Sequence, residues 1–230
     1  MFGNPSKTYK TKKKNWEKGK EKEIDFWVEW IKTKGLEWQQ DYIDRLNPDL
    51  PFQGHLIKYL PEGPEVSIID VGSGPLTSLG KKLKGYNLHI TAVDPLADKY
   101  NAILEEYGIV PLVKTQYCEV ERLTDIFPPD SFDLICVFNA LDHCYDPIRG
   151  IQQMFHLLKK ERFIFMSHFT NEAEKENYVG FHQWNFCKEN NHFVIWNRKS
   201  RITVNDIFKE HADIKITGDD SYNVVEIRKY

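Results

Sequence analysis

The sequence predicts an α/β fold, an open and mostly parallel β-sheet with helices on both faces, and three observations support this prediction. The run VSIIDVGSG is typical of a strand that ends at Asp70 and is followed at once by Gly72 and Gly74. A second apolar run, LHITAVD, ends at Asp94. The run FDLICVF, residues 132–138, is apolar throughout except for Asp133, which is typical of a strand buried on both faces of a parallel sheet.

The first two strands and the glycines between them predict one nucleotide-binding half of a Rossmann-like sheet: a strand, a glycine turn, a helix and a second strand. Gly72 and Gly74 let the backbone pass close to a ligand, where a Cβ would collide. Asp94 follows the second glycine by 20 residues, and a carboxylate there can accept both hydroxyls of a ribose. A dinucleotide enzyme would carry a third glycine where Thr77 stands, so an NAD-dependent dehydrogenase is the weaker alternative.

Polar side chains also follow the third and fourth predicted strands. The third strand ends near Gln116–Cys118 and brings Glu119 to the edge of the sheet. The fourth strand ends in a polar cluster of Asn139, Asp142 and His143. Because ligands of open α/β sheets bind at the carboxyl ends of the strands, we expect these side chains and the two aspartates above to face one crevice.

The remaining elements follow from apolar periodicity. Aromatic-rich residues Ile24–Leu46 predict helices that pack on the sheet or cover the crevice as a cap. Downstream, the patterns predict a helix over Ile148–Leu158, a fifth strand over Arg162–Met166 and a short helix over Asn171–Tyr178 with Asn171 as its N-cap. They then predict a hairpin of His192–Asn197 and Arg201–Val204, a last helix over Val204–Glu210, and two further strands over Ile214–Thr217 and Tyr222–Arg228. The complete sheet is then a mixed sheet of seven strands whose last strand is antiparallel.

Composition limits the class of protein. A chain of 230 residues with 41% hydrophobic content can form one domain with a sizeable core. No apolar run approaches the ~20 residues that span a bilayer, and the N-terminus lacks the apolar segment of a signal peptide. The four cysteines show no CxxC spacing and are expected to be reduced thiols of a cytoplasmic protein.

Charge is unevenly distributed along the chain. Residues 1–22 contain eight lysines against Glu17 and Glu21, a net charge of +6, and the remainder carries −9. Such a lysine run is typical of a flexible, solvated leader, with contact to nucleic acid or an anionic surface as the alternative. The acidic body argues against a nucleic-acid substrate, which needs a positive footprint, and favours a small-molecule acceptor.

Over residues 65–158 the chain resembles the class I S-adenosylmethionine-dependent methyltransferases that act on small molecules such as sugars. The motifs that carry this resemblance are DVGSG, AVDP, CEVE and SFDLICVFNALDH. The resemblance implies S-adenosyl-L-methionine as the cofactor and S-adenosyl-L-homocysteine as its product. One departure is Leu76, behind Pro75, where the family often has a third small residue.

The resemblance also implies which residues contact the cofactor. The amino-acid part of the cofactor is implied to contact Asp70, Gly72, Ser73 and Gly74, and its ribose hydroxyls are implied to contact Asp94 beside Pro95. The adenine is implied to pack its face on Leu96 and to place its edge against Glu119 and Val120, and Asn139 is implied to form the floor beneath the sulfonium. The chain is expected to consist of a leader, residues 1–22, and a single methyltransferase domain, residues 23–230. The domain is expected to comprise a helical cap (23–62), a cofactor-binding core (63–166), an insertion on the acceptor side (167–204) and the C-terminal strands (205–230).

Methyl transfer to an alcohol requires removal of the hydroxyl proton, and histidine is the usual proton acceptor near neutral pH. The candidate catalytic residues are His143, His168 and His182. The candidate substrate contacts are Trp38, Tyr42, Asp142 and Trp184, with packing in the core as the alternative for the aromatic ones. A Mg²⁺ ion bound by Asp142 or Asp146 together with a histidine is the alternative, but no spacing of these residues is diagnostic of a metal site, and we predict none.

Together these observations predict methyl transfer to a hydroxyl of a small polar acceptor, a sugar or sugar derivative of a polysaccharide or secondary-metabolite pathway. The pathway follows from the resemblance and not from particular residues. An N-methyltransferase that acts on a small amine is one alternative. A non-catalytic module that binds the cofactor is the other.

Overall fold

The computed structural model describes residues 13, 14 and 16–230, and ten strands form two sheets within it. The strands are β1 (Glu65–Val71), β2 (Asn87–Asp94), β3 (Gln116–Tyr117), β4 (Phe132–Phe138), β5 (Leu158–Phe169), β6 (Asn185–Glu189), β7 (His192–Asn197), β8 (Ser200–Thr203), β9 (Ala212–Gly218) and β10 (Tyr222–Lys229). The main sheet has the order β3-β2-β1-β4-β5-β10-β9, and β10 runs antiparallel to both of its neighbours. The remaining pairs, from β3 to β5, are parallel, so the predicted fold class is confirmed.

Helices cover both faces of this sheet. The principal α-helices are α1 (Lys20–Lys32), α2 (Gln39–Arg45), α3 (Ala97–Glu106), α4 (Pro147–Leu157), α5 (Glu172–Lys175) and α6 (Val204–Phe208). Short 3₁₀ helices span Glu17–Gly19, Gly54–Tyr59, Val120–Asp125 and Leu141–His143. The helix predicted over Ile148–Leu158 is α4, which begins at Pro147 because Asp146 accepts a hydrogen bond from the backbone N–H of Arg149 as its N-cap.

The central strands β1 and β4 form the core because alternate side chains point to opposite faces of the sheet. Ile69 and Ile135 pack with α4 on one face. Ile68 and Leu134 pack with Leu56 of a 3₁₀ helix on the other face. These five side chains are fully buried, so the sheet is covered on both sides and its carboxyl edge is held in a fixed position.

The helix predicted after the glycine turn does not form. Residues 72–86 are all described, and none of them is helical. Pro75 removes one backbone donor, and the Thr77 hydroxyl binds the carboxylate of Asp70 instead of continuing a helical turn. Gly80 packs so tightly on Pro51 that a Cβ would collide with that residue's carbonyl group. The loop is therefore fixed by contacts with Asp70 and with the segment that precedes β1.

The insertion after β5 is a three-stranded antiparallel sheet, and the predicted hairpin is its β7–β8 part. The sequence did not indicate β6, because its first three residues are all buried and show no alternation. The helix predicted over Asn171–Tyr178 shortens to α5. Asn171 has φ +52° and makes no capping hydrogen bond, because its side chain accepts the ring N–H of Trp196 at 3.0 Å.

The predicted leader lies mostly outside the described residues, in positions 1–12 and 15. Its last part is not a separate segment. Trp16 is only 5% exposed, and the chain is helical from Glu17 into α1. The end of the predicted leader is therefore docked onto the domain through this buried tryptophan. Within the described part of the chain, no helix combines the length and the apolar character needed to cross a membrane.

Candidate active site

A cavity of about 860 Å³ opens at the carboxyl edge of the main sheet. Its walls come from the ends of β1, β2 and β4, from the segment after β3, and from α1 and α2. All the residues that the resemblance assigns to the cofactor line this cavity: Asp70, Gly72, Ser73, Gly74, Asp94, Pro95, Leu96, Glu119, Val120 and Asn139. The sheet topology thus brings together side chains from four strand ends, as expected for this class of fold.

The glycine turn forms a tight cradle in this cavity. Gly72 and Gly74 have φ values of +74° and +64°, which L-residues rarely adopt. A Cβ on Gly72 would collide with the side chain of Ala140, and one on Gly74 would stand 2.8 Å from the ring of Trp27. Both positions therefore require glycine for backbone conformation and for space, and the predicted cap contacts the turn directly through Trp27.

Asp70 ends β1 and is 2% exposed. It accepts a 2.5 Å hydrogen bond from the hydroxyl of Thr77. Burial raises the pKa of Asp70 to about 6, and the Thr77 hydrogen bond opposes this shift. Asp70 thus orders the turn as well as lining the cavity.

Asp94 ends β2 and connects two turns. Its Oδ1 accepts the backbone N–H of Leu96 at 2.8 Å, and its Oδ2 accepts that of Gly74 at 3.2 Å. Burial raises the pKa of Asp94 to about 7. Because each carboxylate oxygen has two lone pairs, Asp94 keeps acceptor capacity toward the cavity.

Glu119 is surrounded by donors. Lys13 Nζ lies 2.6 and 2.8 Å from its two oxygens, and the hydroxyls of Tyr145 and Tyr117 donate at 2.7 and 3.1 Å. Burial alone would raise the pKa of Glu119, but the hydrogen bonds from Lys13 and Tyr145 outweigh it and lower that pKa. The Lys13 contact places the N-terminal segment against the residue that the resemblance assigns to the adenine edge.

Asn139 supports the cavity floor from the end of β4. Its φ of +46° is one that asparagine tolerates better than most residues. Its side-chain oxygen accepts the backbone N–H of Phe169 at 3.1 Å, and the backbone N–H of Asn139 donates to the carbonyl of Ser167 at 2.7 Å. Asn139 therefore ties the ends of β4 and β5 together.

Asp142, His143 and His182 form a compact group, which we call the Asp–His cluster. His182 Nδ1 lies 3.0 Å from Asp142 Oδ2 and 3.2 Å from His143 Nε2, and His143 Nε2 lies 3.5 Å from the same Asp142 oxygen. Burial would lower the pKa of His182, but the hydrogen bond with Asp142 outweighs it and raises that pKa. Both histidines line the cavity, and Asp142 lies beneath them at 2% exposure.

Three other candidates lie away from the cavity, and Trp38 lies in its wall. His168 is buried, packs edge-to-face on Phe186 at 4.7 Å, and does not line the cavity. Burial lowers the pKa of His168 to about 4.

The aromatic candidates Trp184 and Tyr42 also pack inside the protein. Trp184 is buried and donates its ring N–H to the carbonyl of Cys144, and Tyr42 packs on Trp30 with ring centroids 5.1 Å apart. The structure thus places His168, Trp184 and Tyr42 in the core, and Trp38 lines the cavity with half of its surface exposed.

Two residues of this region were absent from the sequence-based predictions. Glu121 is buried and accepts the backbone N–H groups of Tyr145 and Asp146, each at 2.8 Å, which fixes the loop after His143. Burial raises the pKa of Glu121 to about 8. Trp16 donates its ring N–H to the carbonyl of His143 at 2.7 Å. The signal for Glu121 was its position in the CEVE motif, whereas Trp16 was hidden in the lysine-rich run.

The profile of the methyltransferase domain family matches residues 37–211. No curated protein matches the sequence. A chain from the complex between the Haloferax volcanii Trm112 methyltransferase activator and a methyltransferase aligns with a TM-score of 0.52 and 13% identity, and the alignment covers 90% of this chain and 98% of that one. The CurJ carbon methyltransferase aligns with a TM-score of 0.50 and 10% identity, covering 75% and 50%. An S-adenosylmethionine-dependent methyltransferase from Mesorhizobium loti aligns with a TM-score of 0.48 and 15% identity, covering 76% and 96%. At these identities the likeness concerns the fold alone.

Proposed function

The chain belongs to the methyltransferase domain family and is an S-adenosylmethionine-dependent methyltransferase, and we propose that its acceptor is a hydroxyl group of a small polar molecule such as a sugar. The observation that carries this proposal is the position of the Asp–His cluster, whose two imidazoles line the same cavity as the glycine turn. An alcohol must lose a proton during methyl transfer, and an imidazole that faces the acceptor can take it.

The chemistry of the cavity fits the cofactor. Gly72 and Gly74 leave a cradle that a Cβ would fill, and Asp70, Asp94 and Glu119 offer carboxylates to the ammonium, hydroxyl and amino groups of the ligand. When bound, S-adenosylmethionine supplies an electrophilic methyl group that passes from its sulfur to the acceptor oxygen. The protein's contribution is to align the two partners, for which effective molarities of at least ~10⁵ M are known.

The remaining lining residues of the cavity support a polyhydroxylated acceptor. Trp38 and Phe169 present aromatic surface, each about half exposed, and Glu172, Glu176 and His182 add polar groups. Aromatic faces combined with a few polar groups suit the apolar faces and hydroxyls of a sugar ring. That the acceptor belongs to a polysaccharide or secondary-metabolite pathway stays a prediction.

The location and the choice of partner follow from the same features. We propose a cytoplasmic enzyme, because the four cysteines are free and buried: Cys118, Cys136, Cys144 and Cys187. A small-molecule acceptor and not a nucleic acid is proposed because the chain after residue 22 carries a net charge of −9.

The test uses the full chain, a panel of mono- and disaccharides and small amines, and S-adenosylmethionine labelled on its methyl group. We expect label transfer to hydroxyl acceptors and a loss of roughly 10²–10⁴-fold in turnover for His143→Ala or His182→Ala. His192→Ala is the matched control, because His192 is exposed at the start of β7, away from the cavity. Its turnover should equal that of the wild type.

Two outcomes would overturn the proposal. Transfer to amines alone, with little loss in His143→Ala and His182→Ala, would identify an N-methyltransferase. Calorimetric binding of S-adenosylhomocysteine without turnover on any acceptor would identify a non-catalytic module.

A further inference from the structure

Three donor atoms of the Asp–His cluster converge on one point beside the cavity. Asp142 Oδ2, His143 Nε2 and His182 Nδ1 form a triangle with sides of 3.0, 3.2 and 3.5 Å. Two donors that bind one Zn²⁺ ion at about 2.0–2.2 Å lie roughly 3.0–3.5 Å apart. The triangle therefore has the dimensions of one face of a metal coordination shell.

Hydrogen bonding alone leaves this group incompletely satisfied. His182 Nδ1 carries at most one proton, yet it faces both Asp142 Oδ2 and His143 Nε2. Asp142 Oδ1 is buried and finds no hydrogen-bond partner among the described residues. A buried carboxylate ordinarily needs a cation or several donors, and a metal ion would provide the positive charge.

Two further carboxylates surround the triangle. Glu23 Oε2 lies 3.7 Å from the far ring nitrogen of His143, and the ring N–H of Trp27 holds the other Glu23 oxygen at 2.9 Å. A carboxylate that accepts a hydrogen bond from the other ring nitrogen commonly orients a metal-bound histidine, and Glu23 lies within about 1 Å of that distance. Glu172 Oε1 lies 3.9 Å from His182 Nδ1, and its Oε2 is buried without a partner in the described part of the chain. Glu172 thus adds negative charge beside the triangle without belonging to it.

We propose that Asp142, His143 and His182 bind one divalent transition-metal ion of the Zn²⁺ and Co²⁺ type. Two imidazoles and one carboxylate suit these ions better than Mg²⁺ or Ca²⁺, which prefer oxygen ligands. Sequence spacing could not indicate this site, because His182 is supplied by the insertion, 39 residues after His143. Three protein ligands leave a coordination position open toward the cavity.

The role of this ion rests on the proposed function, whereas its binding does not. A hydroxyl that coordinates the ion becomes more acidic, so its proton can leave to solvent water. The acceptor oxygen then forms its bond to the methyl carbon as the bond from that carbon to sulfur breaks. The two histidines act in this case as ligands that position the hydroxyl, and the ion replaces an imidazole as its activator.

The experiment measures metal binding to the full chain without cofactor or acceptor. Chelator-treated protein is titrated with Zn²⁺ by calorimetry and with Co²⁺ by visible absorption. We expect one ion per chain, a loss of at least ~100-fold in affinity for His182→Gln and Asp142→Asn, and a loss of about 10-fold for Glu23→Gln. His192→Gln should bind as the wild type does, since His192 is exposed in β7.

The absence of Co²⁺ absorption bands in the wild type, or unchanged affinity in both His182→Gln and Asp142→Asn, would overturn the site. Circular dichroism verifies folding, and His182, whose side chain is 25% exposed, provides the variant less dependent on the core. Metal binding combined with transfer to amines alone would refute the proposed acceptor but keep the ion. Transfer to hydroxyls that is equally fast after chelation would remove the ion's role and keep the proposed function.

Discussion

The hydroxyl of Thr77 donates a 2.5 Å hydrogen bond to the buried carboxylate of Asp70. This bond joins the end of β1 to a turn seven residues later, in the loop where the sequence predicted a helix. Thr77 occupies the position at which a dinucleotide enzyme carries its third glycine. The residue that argued against such an enzyme therefore also shapes the glycine turn.

Replacement of Thr77 by valine should destabilise the protein, because Asp70 Oδ2 would lose its donor while remaining buried. The expected cost is about 1–3 kcal/mol in the free energy of unfolding. Urea unfolding measures it, and Thr77→Ser, which keeps the hydroxyl, should lose less than half as much. A loss in Thr77→Ser as large as that in Thr77→Val would contradict this prediction, because serine keeps the hydroxyl that binds Asp70.

The strands and the cofactor end of the site were predictable because their signals are local. An apolar run that ends in a carboxylate or amide, as at Asp70, Asp94 and Asn139, places that side chain at the sheet edge wherever the strand lies in the sheet. The apolar run of β4, which is buried on both faces of the sheet, is likewise a local signal and made this strand evident.

The remainder depends on contacts between distant segments. The loop after Gly74 lost its helix to contacts with Asp70 and Pro51, and no local pattern reveals those partners. His168 lies at the end of β5 and His143 just after β4, yet only the fold shows that His168 lies in the core. The role of single residues at the site was therefore less predictable than the site itself.

The stability of the protein should depend on pH through Glu121. Burial raises the pKa of Glu121 to about 8 in the folded state, against 4.5 ordinarily. The folded state thus binds the proton more tightly, and this contribution to stability is complete below about pH 4.5 and is lost as pH rises through about 8.

Glu121→Gln keeps an oxygen for the N–H groups of Tyr145 and Asp146 and removes the ionisation. The variant should gain stability relative to the wild type between pH 5 and 8, by a few kcal/mol at the upper end. Urea unfolding of both proteins at several pH values measures this difference. A difference that stays constant with pH would contradict the assigned role of Glu121.

Gly72→Ala should weaken cofactor binding, because its Cβ would collide with Ala140 and displace one wall of the cradle. Overpacking of this kind costs about 1–3 kcal/mol, so we expect a loss of roughly 10-fold or more in affinity for S-adenosylhomocysteine, measured by calorimetry. Gly85→Ala is the matched control, since Gly85 also has a positive φ, +84°, but no heavy atom within 4 Å of an added Cβ. Equal losses in both variants would mean that backbone strain alone accounts for the effect.

The N-terminal segment should detach when Trp16 is removed. Trp16 stacks on Phe181 with ring centroids 5.2 Å apart and donates its ring N–H to the carbonyl of His143 at 2.7 Å. Trp16→Ala deletes both contacts, and the loss of a buried tryptophan costs about 3–5 kcal/mol. Most of this cost should lower the free energy of local opening of the N-terminal segment. Trypsin should then cleave after Lys18 and Lys20 at least 10-fold faster than in the wild type, as followed by mass spectrometry.

Trp38→Ala is the control for this experiment, because Trp38 is 51% exposed and lies after α1. Its cleavage pattern at the N-terminal lysines should match that of the wild type. Since Trp16 also lines the cavity, its alanine variant should bind S-adenosylhomocysteine more weakly. If Trp16→Ala were cleaved no faster than Trp38→Ala, the segment would be held by other contacts, among which the pair of Lys13 and Glu119 is the strongest candidate.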